Sequence, residues 1–436
     1  MKKILVAGAG HGGLTAAVHL SKNGYDVTVI EAKDKASMGH DWHDAMNMSA
    51  FDMSGIPRPT KDMYIESKPQ CFRNPAGTVN IELPFINNDE GFYIDRKVLI
   101  AYLIECAEAA GVKFLFSHKI IAPITKNNKV LGLKISDGEA EIRLEADLVI
   151  DAAGLNSPVR KNLPISCGVQ RTIEQRDVYH VFRAYYKNTA GEITNPPVTI
   201  NMFHMNRPGI DWTITEEDFV DVLIGKFGSS GELTEKEVEE TLKKFRQDYP
   251  FISQEAVRGG QFADIPLTKM LPMLVCDGYA AVGDSAGMTI PLNGSGIVLS
   301  MKAGRLLADT VLKAKGAYTK KELWGYQYEY FQKLGKELIL IDTLKNFFTY
   351  VDAKQVDILT ERKILTADNL NIYNGFPLTA ELVGKIISTV PYLLNLVPPL
   401  LGTFKGYPLL PLVSKAMPKE YNEERVKAWA KLYSKL

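Results

Sequence analysis

The sequence predicts an α/β fold in which a parallel sheet flanked by helices is interleaved with a mostly antiparallel sheet and followed by a C-terminal helical lobe. Three observations support this prediction. Residues 4–31 have the pattern of a strand, a glycine-rich turn, a helix and a second strand. Two further apolar runs, at residues 146–150 and 278–282, each lead into a turn that contains glycine. Residues 166–257 include several stretches that alternate between apolar and polar side chains, which is typical of partly exposed strands.

The charge balance argues against one class of partner. The chain has 436 residues, with 51 Lys plus Arg and 51 Asp plus Glu, so its formal net charge is +0. A large nucleic-acid-binding surface usually needs an excess of basic residues. We therefore expect a small-molecule ligand and no nucleic acid.

The cysteines and the N-terminus give two further expectations. The four cysteines form no C-x-x-C pair, so the sequence predicts neither a zinc site nor a disulfide framework. The apolar run at residues 4–7 follows two lysines but is too short for a signal peptide. We therefore expect a cytoplasmic protein.

The N-terminal segment carries the most specific motif. G-A-G-H-G-G at residues 8–13 lies between a strand predicted at 4–7 and a helix at 14–23, and a second strand at 25–30 leads to Glu31. In such a unit the first glycine permits the tight turn, the second admits a diphosphate, and the last allows helix and strand to pack closely. The helix N-terminus favours the phosphate charge, and the acid accepts hydrogen bonds from a ribose. The motif predicts a dinucleotide site without separating NAD from FAD.

Two more motifs follow strands far along the chain. The strand predicted at 146–150 leads into D-A-A-G-L-N-S-P-V-R at 151–160. The strand at 278–282 leads into G-D-S-A-G at 283–287, and P-L-N-G-S-G-I at 291–297 opens a helix. The acid of G-D-S-A-G can bind a ribityl hydroxyl or, through water, a phosphate. Backbone N–H groups at the start of a helix can stabilise a reduced flavin.

The three motifs, in this order, resemble the FAD-dependent family that includes p-hydroxybenzoate hydroxylase, the flavin-dependent halogenases and the geranylgeranyl reductases. The resemblance extends from residue 1 to about residue 315, and Y-I-D-R at 93–96 before an apolar helix agrees with it. It implies a Rossmann-like domain that binds FAD tightly but non-covalently. The cofactor contacts that it implies are Gly8, Gly10, Gly12, Gly13, Glu31, Ala32, Lys33, Arg96, Ile120, Asp151, Gly154, Gly283, Asp284, Gly294, Gly296 and Ile297.

Four of these residues also have a purely structural interpretation. In the family the arginine contacts the diphosphate region of the flavin cofactor, but Arg96 is otherwise a surface residue at a helix start. Asp151 is otherwise a cap of the following turn, and Gly154 a turn glycine. Asp284 is otherwise an ordinary helix N-cap.

Two positions bear on the branch of the family. Aromatic hydroxylases commonly carry His after the G-D-x-x stretch, whereas this chain has Gly287, which is nearer the geranylgeranyl reductases. Trp212 stands where those reductases have Y-x-W-x-F-P and the halogenases W-x-W-x-I-P, but Thr215 departs from both patterns. Trp212 is a candidate catalytic residue, but these patterns do not identify the substrate. Because no second strand–G-x-G-x-x-G–helix unit exists, the electron donor, NAD(P)H or ferredoxin, also stays open.

Two histidines are the candidate proton donors. Reduction of an isolated C=C bond needs a hydride from flavin N5 and a proton, which His can supply near neutral pH. G-H-D-W-H-D at 39–44 lies where the chain is expected to return toward the flavin. His43 is the first choice and His40 the second, and a polar loop with surface histidines is the alternative. The H-x-x-H spacing has no other ligand cluster to complete a metal site, so none is predicted.

The domains are expected to interleave because the three motifs must meet at one ligand. Residues 1–165 and 258–345 are assigned to the FAD-binding domain, 166–257 to the substrate domain, and 346–436 to an apolar helical lobe. The apolar segments of that lobe are interrupted by prolines and are poorly suited to span a membrane. They are expected to cover the substrate cavity or to contact a membrane peripherally, unless the lobe simply packs on the core.

The predicted function is that of an FAD-dependent oxidoreductase which reduces C=C bonds of an isoprenoid or lipid-like substrate. The alternative is a flavin-dependent monooxygenase or halogenase that acts on a small aromatic substrate. A halogenase needs a catalytic lysine, for which Lys61 and Lys68 are available. A third interpretation is a flavin-binding protein without net redox turnover, such as a cyclase or a lipid-binding module.

Overall fold

The computed structural model describes residues 1–83, 91–370, 380–392, 394, 398 and 409–436. Its strands are β1 Lys3–Ala7, β2 Asp26–Ile30, β3 His43–Asn47, β4 Tyr64–Glu66, β5 Gln70–Arg73, β6 Asn80–Leu83, β7 Gly91–Asp95, β8 Lys113–Leu115, β9 Lys119–Lys126, β10 Lys129–Ser136, β11 Glu141–Glu145, β12 Leu148–Asp151, β13 Val178–Asn188, β14 Val198–Met202, β15 Ile210–Thr215, β16 Phe219–Phe227, β17 Ile252–Pro266, β18 Val275–Cys276 and β19 Tyr279–Ala281. Its α-helices are α1 His11–Lys22, α2 Ser49–Ser54, α3 Arg96–Ala109, α4 Pro158–Lys161, α5 Glu235–Asp248, α6 Ile297–Lys313, α7 Lys320–Tyr330, α8 Lys336–Phe348, α9 Ala353–Glu361, α10 Ala367–Leu370, α11 Ala380–Thr389, α12 Leu410–Ala416 and α13 Glu423–Tyr433.

A six-stranded sheet carries the N-terminal motif. Its strand order is β18-β19-β12-β1-β2-β8, and all neighbours are parallel except the edge pair β18–β19. Strands β1 and β12 are buried along almost their whole length, as expected for parallel strands that are covered on both faces. Helix α1 connects β1 to β2 and packs on α3 and α6. This strand–helix–strand unit has the order that the sequence predicts, and the mixed α/β fold is confirmed.

A seven-stranded, mostly antiparallel sheet forms the second layer. Its order is β17-β13-β16-β15-β14-β5-β6, with only β14 and β5 parallel. The strand-like stretch at residues 211–225 is a hairpin of β15 and β16, because the chain turns at Glu216. The sheet also takes β5 and β6 from residues 70–83, inside the range assigned to the FAD-binding domain. The boundaries of 1–165 and 258–345 for the FAD-binding domain and 166–257 for the substrate domain stay a prediction.

The C-terminal helices cover one part of the seven-stranded sheet. Helices α8 and α9 share a buried apolar cluster with strands of that sheet, formed among others by Tyr179, Val181, Leu223, Leu267, Leu344, Phe347, Phe348 and Val356. No helix in the described ranges is long and apolar enough to cross a membrane. The proline-rich apolar segments at 386–402 and 406–413 lie only partly within the described residues.

Two glycines let helices α1 and α6 touch. A Cβ atom at Gly304 would lie 2.2 Å from the carbonyl oxygen of Gly12, and one at Gly12 would lie 2.6 Å from the carbonyl oxygen of Ser300. Neither position has room for a methyl group in a close-packed interior. The contact fixes the first glycine motif to the helix that follows the third motif.

We expect Gly304→Ala to lower the free energy of unfolding by about 1–3 kcal/mol, because the added methyl group must displace α1. Gly325→Ala on α7 is the matched control, since a Cβ there meets Thr310 only at 3.7 Å. Its higher helix propensity is expected to raise the free energy of unfolding by up to about 1 kcal/mol. Urea unfolding followed by circular dichroism measures both values. Equal stability of the two variants would contradict the close helix contact.

Candidate functional site

Three sequence motifs start from one row at the carboxyl edge of the parallel sheet. The pairing of the strands places the last residues of β2, β1, β12 and β19 side by side: Ile30, Ala7, Asp151 and Ala281. Backbone hydrogen bonds continue this ladder into the turns, from the N–H groups of Gly8, Ala152 and Val282 to the carbonyls of Ile30, Ala7 and Asp151 at 2.8, 2.8 and 2.9 Å, respectively. In parallel α/β sheets ligands bind at this edge. The predicted meeting of the motifs is therefore present in the fold.

Glu31 is held in a fixed orientation by the backbone. Its two carboxylate oxygens accept hydrogen bonds from the N–H groups of Ala9 and Lys33, each at 2.9 Å. A carboxylate has about four acceptor sites, so Glu31 can still bind the hydroxyls of a ribose. Ala32 is exposed beside it, and Ile120 is half-buried on β9. The cofactor contacts of these residues stay predictions.

The motif glycines bring the first turn against the second motif. A Cβ atom at Gly8 or Gly10 would lie 2.7 or 2.8 Å from the carbonyl oxygen of Ala152. One at Gly13 would lie 2.5 Å from the Cβ of Ala152 and 2.9 Å from Val6. The structure thus has the close helix–strand packing that the sequence predicts at Gly13. At Gly10 the contact with Ala152 already requires a glycine, whether or not a diphosphate binds there.

Both carboxylate oxygens of Asp151 accept hydrogen bonds from the protein. It is fully buried and accepts hydrogen bonds from the hydroxyls of Ser157 and Tyr279, at 2.6 and 2.9 Å, and from the N–H of Ala153 at 3.1 Å. Burial raises the pKa of Asp151, although these hydrogen bonds oppose the rise. The geometry favours the structural interpretation. The same holds for Gly154, whose φ of 82° is that of a turn glycine.

Arg160 connects the second motif to the third. Its side chain is fully buried, and its Nη1 donates a 2.6 Å hydrogen bond to the carbonyl of Ser285. Its backbone N–H donates to Ser157 Oγ at 3.1 Å, which caps the short helix α4. Arg160 was not among the predicted site residues, although it ends the second motif at 151–160, which was the available signal.

Asp284 differs from Asp151 because its carboxylate has no hydrogen-bond donor among the described residues. It lies in the turn Gly283–Ala286 and does not cap a helix. Burial raises its pKa, whereas Arg96 and Arg160 oppose that rise. A Cβ atom at Gly296 would lie 3.4 Å from Asp284 Oδ1, so the carboxylate lies beside the start of α6.

The segment that leads into α6 also brings Gly294 and Ile297 to this place. The N–H of Gly294 donates to the carbonyl of Ile290 at 2.9 Å, and Ile297 is the first residue of α6. Of the predicted third-motif residues, Gly296 lies beside Asp284, and Gly294 and Ile297 flank it in the chain.

Arg96 is the first residue of α3 and is paired with Asp44 on β3. Its Nη2 lies 2.6 Å from Asp44 Oδ1, and its Nε also donates to this carboxylate. Burial alone would lower the pKa of Arg96, but Asp44 and also Asp284 raise it. The side chain of Arg96 is only 22% exposed, which disfavours a plain surface role. Asp44 was missed as a partner, although it closes the G-H-D-W-H-D pattern.

His40 and Trp42 form one stack at the start of this segment. Their rings are parallel, with centroids 4.2 Å apart. Burial, Arg96 and Lys33 lower the pKa of His40 to about 4, so its imidazole is neutral at neutral pH.

His43 is bound to the seven-stranded sheet through its backbone. Its N–H donates to the Tyr185 hydroxyl at 2.8 Å, and its carbonyl accepts from Arg183 Nη1 at 2.6 Å. Burial, followed by Arg258, lowers the pKa of His43 below its ordinary value. The imidazole is therefore predominantly neutral at neutral pH, which disfavours His43 as a donor that must be protonated there.

Trp212 lies on β15 under a buried cation. The guanidinium of Arg183 is 5.0 Å from the centre of its ring, and Arg183 also forms an ion pair with Asp221. The indole Nε1 of Trp212 is buried and has no partner in the described part of the chain. A donor in this state is available to a bound molecule.

The two lysines considered for halogenase chemistry are otherwise placed. Lys68 forms an ion pair with Glu216, and Lys61 is exposed. Neither offers a free, buried ammonium group.

Comparison with known proteins identifies the family. The FAD binding domain family matches residues 1–316, which contain all three motifs. A digeranylgeranylglycerophospholipid reductase from Sulfolobus acidocaldarius is 22% identical over 375 residues, which are 84% of this chain and 82% of that protein.

Solved structures share the fold. A geranylgeranyl bacteriochlorophyll reductase-like protein from Thermoplasma acidophilum aligns with a TM-score of 0.73 and 19% identity, over 91% of this chain and 99% of its own. A flavin-dependent brominase aligns with a TM-score of 0.63 and 16% identity, over 90% of this chain and 99% of its own. These structures are evidence for the fold alone, whereas the family match spans well over half of the sequence. The chain belongs to the FAD binding domain family, as the resemblance of its motifs predicts.

Proposed function

We propose that the protein is an FAD-dependent reductase that saturates C=C bonds of an isoprenoid or other lipid-like substrate. The observation that carries this proposal is the similarity to the Sulfolobus protein named digeranylgeranylglycerophospholipid reductase. That similarity covers 375 residues, more than the 316 of the family match. It therefore includes part of the chain beyond the FAD-binding region.

The geometry beside the cofactor edge supports an apolar substrate. A Cβ atom at Gly294 would lie 3.2 Å from Ile265 and 3.8 Å from Leu267. Leu267 belongs to the apolar cluster between the seven-stranded sheet and helices α8 and α9, and Ile265 packs against it. The loop that we expect to face the flavin edge thus adjoins an apolar region of the second layer. An isoprenoid chain gains free energy when it leaves water for such surroundings.

The proposed electron donor is either NAD(P)H or a ferredoxin, because the sequence has one dinucleotide motif only. Bound FAD would accept two electrons and then supply a hydride, while the protein supplies the proton. We also propose a cytoplasmic location, with peripheral membrane contact through the C-terminal lobe as the route to a lipid substrate.

A flavin-dependent monooxygenase or halogenase is the second candidate. The fold of the flavin-dependent brominase and the position of Trp212 favour it. The ion pair of Lys68 with Glu216 and the exposure of Lys61 count against the halogenase version. Gly287 has a φ of 66°, a left-handed conformation in which the histidine of aromatic hydroxylases would be strained.

We expect a geranylgeranyl lipid to reoxidise the dithionite-reduced holoprotein in the absence of oxygen, because hydride transfer to the lipid oxidises the flavin. The measurement is the return of the oxidised flavin absorbance, with mass spectrometry of the lipid. Two hydrogens should be gained for each double bond reduced. No return without oxygen, followed by rapid reoxidation in air, would favour the monooxygenase instead. A flavin-binding protein without redox turnover would consume no reductant.

We propose that Asp284 binds the cofactor and that Asp151 does not. Asp284→Asn is expected to weaken FAD binding by about 10- to 100-fold, the loss typical of a hydrogen bond to a charged group, with little change in apoprotein stability. Asp151→Asn is the matched variant and should lower the free energy of unfolding by about 1–3 kcal/mol, because its amide opposes buried donors. Flavin fluorescence titration and urea unfolding measure the two effects. The reverse pattern would refute the assignment.

His43 remains our proposed proton donor, with His40 next, and its titration gives a test. Burial, Arg258 and Arg183 lower its pKa from 6.5, whereas Asp95 and Asp221 raise it. If the imidazolium delivers the proton, the anaerobic rate of flavin reoxidation by lipid should rise as the pH falls below about 6.5. The rate should be lost as the pH rises through the pKa.

The His43→Gln variant should have a flat pH profile in the same measurement. His40→Gln is the control and should keep the wild-type profile, because the His40 pKa of about 4 lies lower. Loss of the profile in His40→Gln alone would transfer the role to His40.

A further inference from the structure

One buried nitrogen in the first motif has no partner. His11 is the first residue of α1, and its Nε2 is shielded from solvent without a hydrogen bond in the described part of the chain. A shielded nitrogen of this kind costs free energy unless it is paired. In native proteins such a group usually marks a missing water, ion or ligand.

The surroundings of His11 lie on the cofactor side of the motif. Burial, Arg96 and His40 lower the pKa of His11 to about 3, whereas Asp44 opposes the change. The ring is therefore neutral at neutral pH and carries one N–H. Asp44 is already engaged in its ion pair with Arg96. No hydrogen bond joins Asp44 to His11 Nε2, which stays without a partner in the described part of the chain.

The missing partner should be an acceptor that carries negative charge. The first turn of α1 contains no acidic residue, and the N-terminus of a helix favours anions. The guanidinium of Arg96 adds a positive charge nearby, as its effect on the His11 pKa indicates. A diphosphate oxygen has the charge and the lone pairs that this position lacks.

We propose that His11 is a cofactor-binding residue whose Nε2–H donates a hydrogen bond to the diphosphate of FAD. This role belongs to the side chain and is separate from the backbone N–H groups that the glycine motif supplies. The inference rests on membership of the FAD-binding family and needs no assumption about the lipid substrate. It is therefore tested by binding, and failure of the reductase proposal would leave it intact.

The test compares His11→Phe, which keeps a planar ring but lacks the donor, with His11→Gln, which keeps an N–H donor. Apoprotein of each is titrated with FAD, with ADP and with riboflavin. We expect His11→Phe to weaken FAD and ADP by the same factor, about 10- to 100-fold, and to leave riboflavin unchanged. His11→Gln should stay within about threefold of the parent for all three ligands.

Apoprotein stability separates this role from a structural one. Since Phe removes the unpaired nitrogen, the midpoint of thermal unfolding of His11→Phe apoprotein should be equal to or above that of the parent. Unchanged FAD affinity in His11→Phe would overturn the proposal. Loss of riboflavin binding with unchanged ADP binding would also overturn it, because it would place the contact at the flavin ring. If His11→Phe does not fold, the test uses His11→Gln alone. An equal loss of affinity for FAD, ADP and riboflavin in His11→Gln would then exclude a donor role for His11.

Discussion

A row of backbone hydrogen bonds along the carboxyl edge of the parallel sheet is the constraint on which the candidate site depends. Through it Gly8 is tied to Ile30, Ala152 to Ala7, and Val282 to Asp151. Each bond joins the first residue after one strand to the last residue of its neighbour. Motifs that are far apart in the sequence therefore lie side by side. A change in the register of one strand would move its turn away from the turns of the neighbouring strands.

The charged and polar side chains at this edge fall into two groups, those with hydrogen-bond partners in the protein and those without. Asp151 and Arg160 are fully buried, and protein groups take up their hydrogen bonds. They connect the motifs through contacts within the protein. Asp284 and His11 Nε2 face no partner among the described residues, at a cost that folding alone does not recover. The sequence predicts the same role for Asp151 and Asp284, and only their hydrogen bonds in the fold distinguish the two acids.

The elements around the glycine motifs could be predicted to within a few residues, because buried parallel strands have short apolar runs and glycine turns end them. The second layer was harder. Nothing local in residues 70–83 indicates that β5 pairs with β14, since that pairing joins distant parts of the chain. The polar residues at 216–218 divide a stretch that the sequence analysis did not separate into two strands. The pKa of His43 depends on burial and on Arg258, which the sequence places far away.

The cofactor edge cannot by itself decide between reduction and oxygen chemistry, because reductases and halogenases resemble each other in these motifs. What differs must lie where the flavin edge meets the second layer. Here a Cβ atom at Gly294 would meet Ile265 and Leu267, while Lys68 forms an ion pair with Glu216 and Lys61 is exposed to solvent. An apolar wall excludes water and favours a hydrocarbon over an ionic or hydrogen-bonding substrate. In the proposed reductase this apolar surface would receive the hydrocarbon, whereas the halogenase alternative lacks a free, buried ammonium group at Lys61 and Lys68.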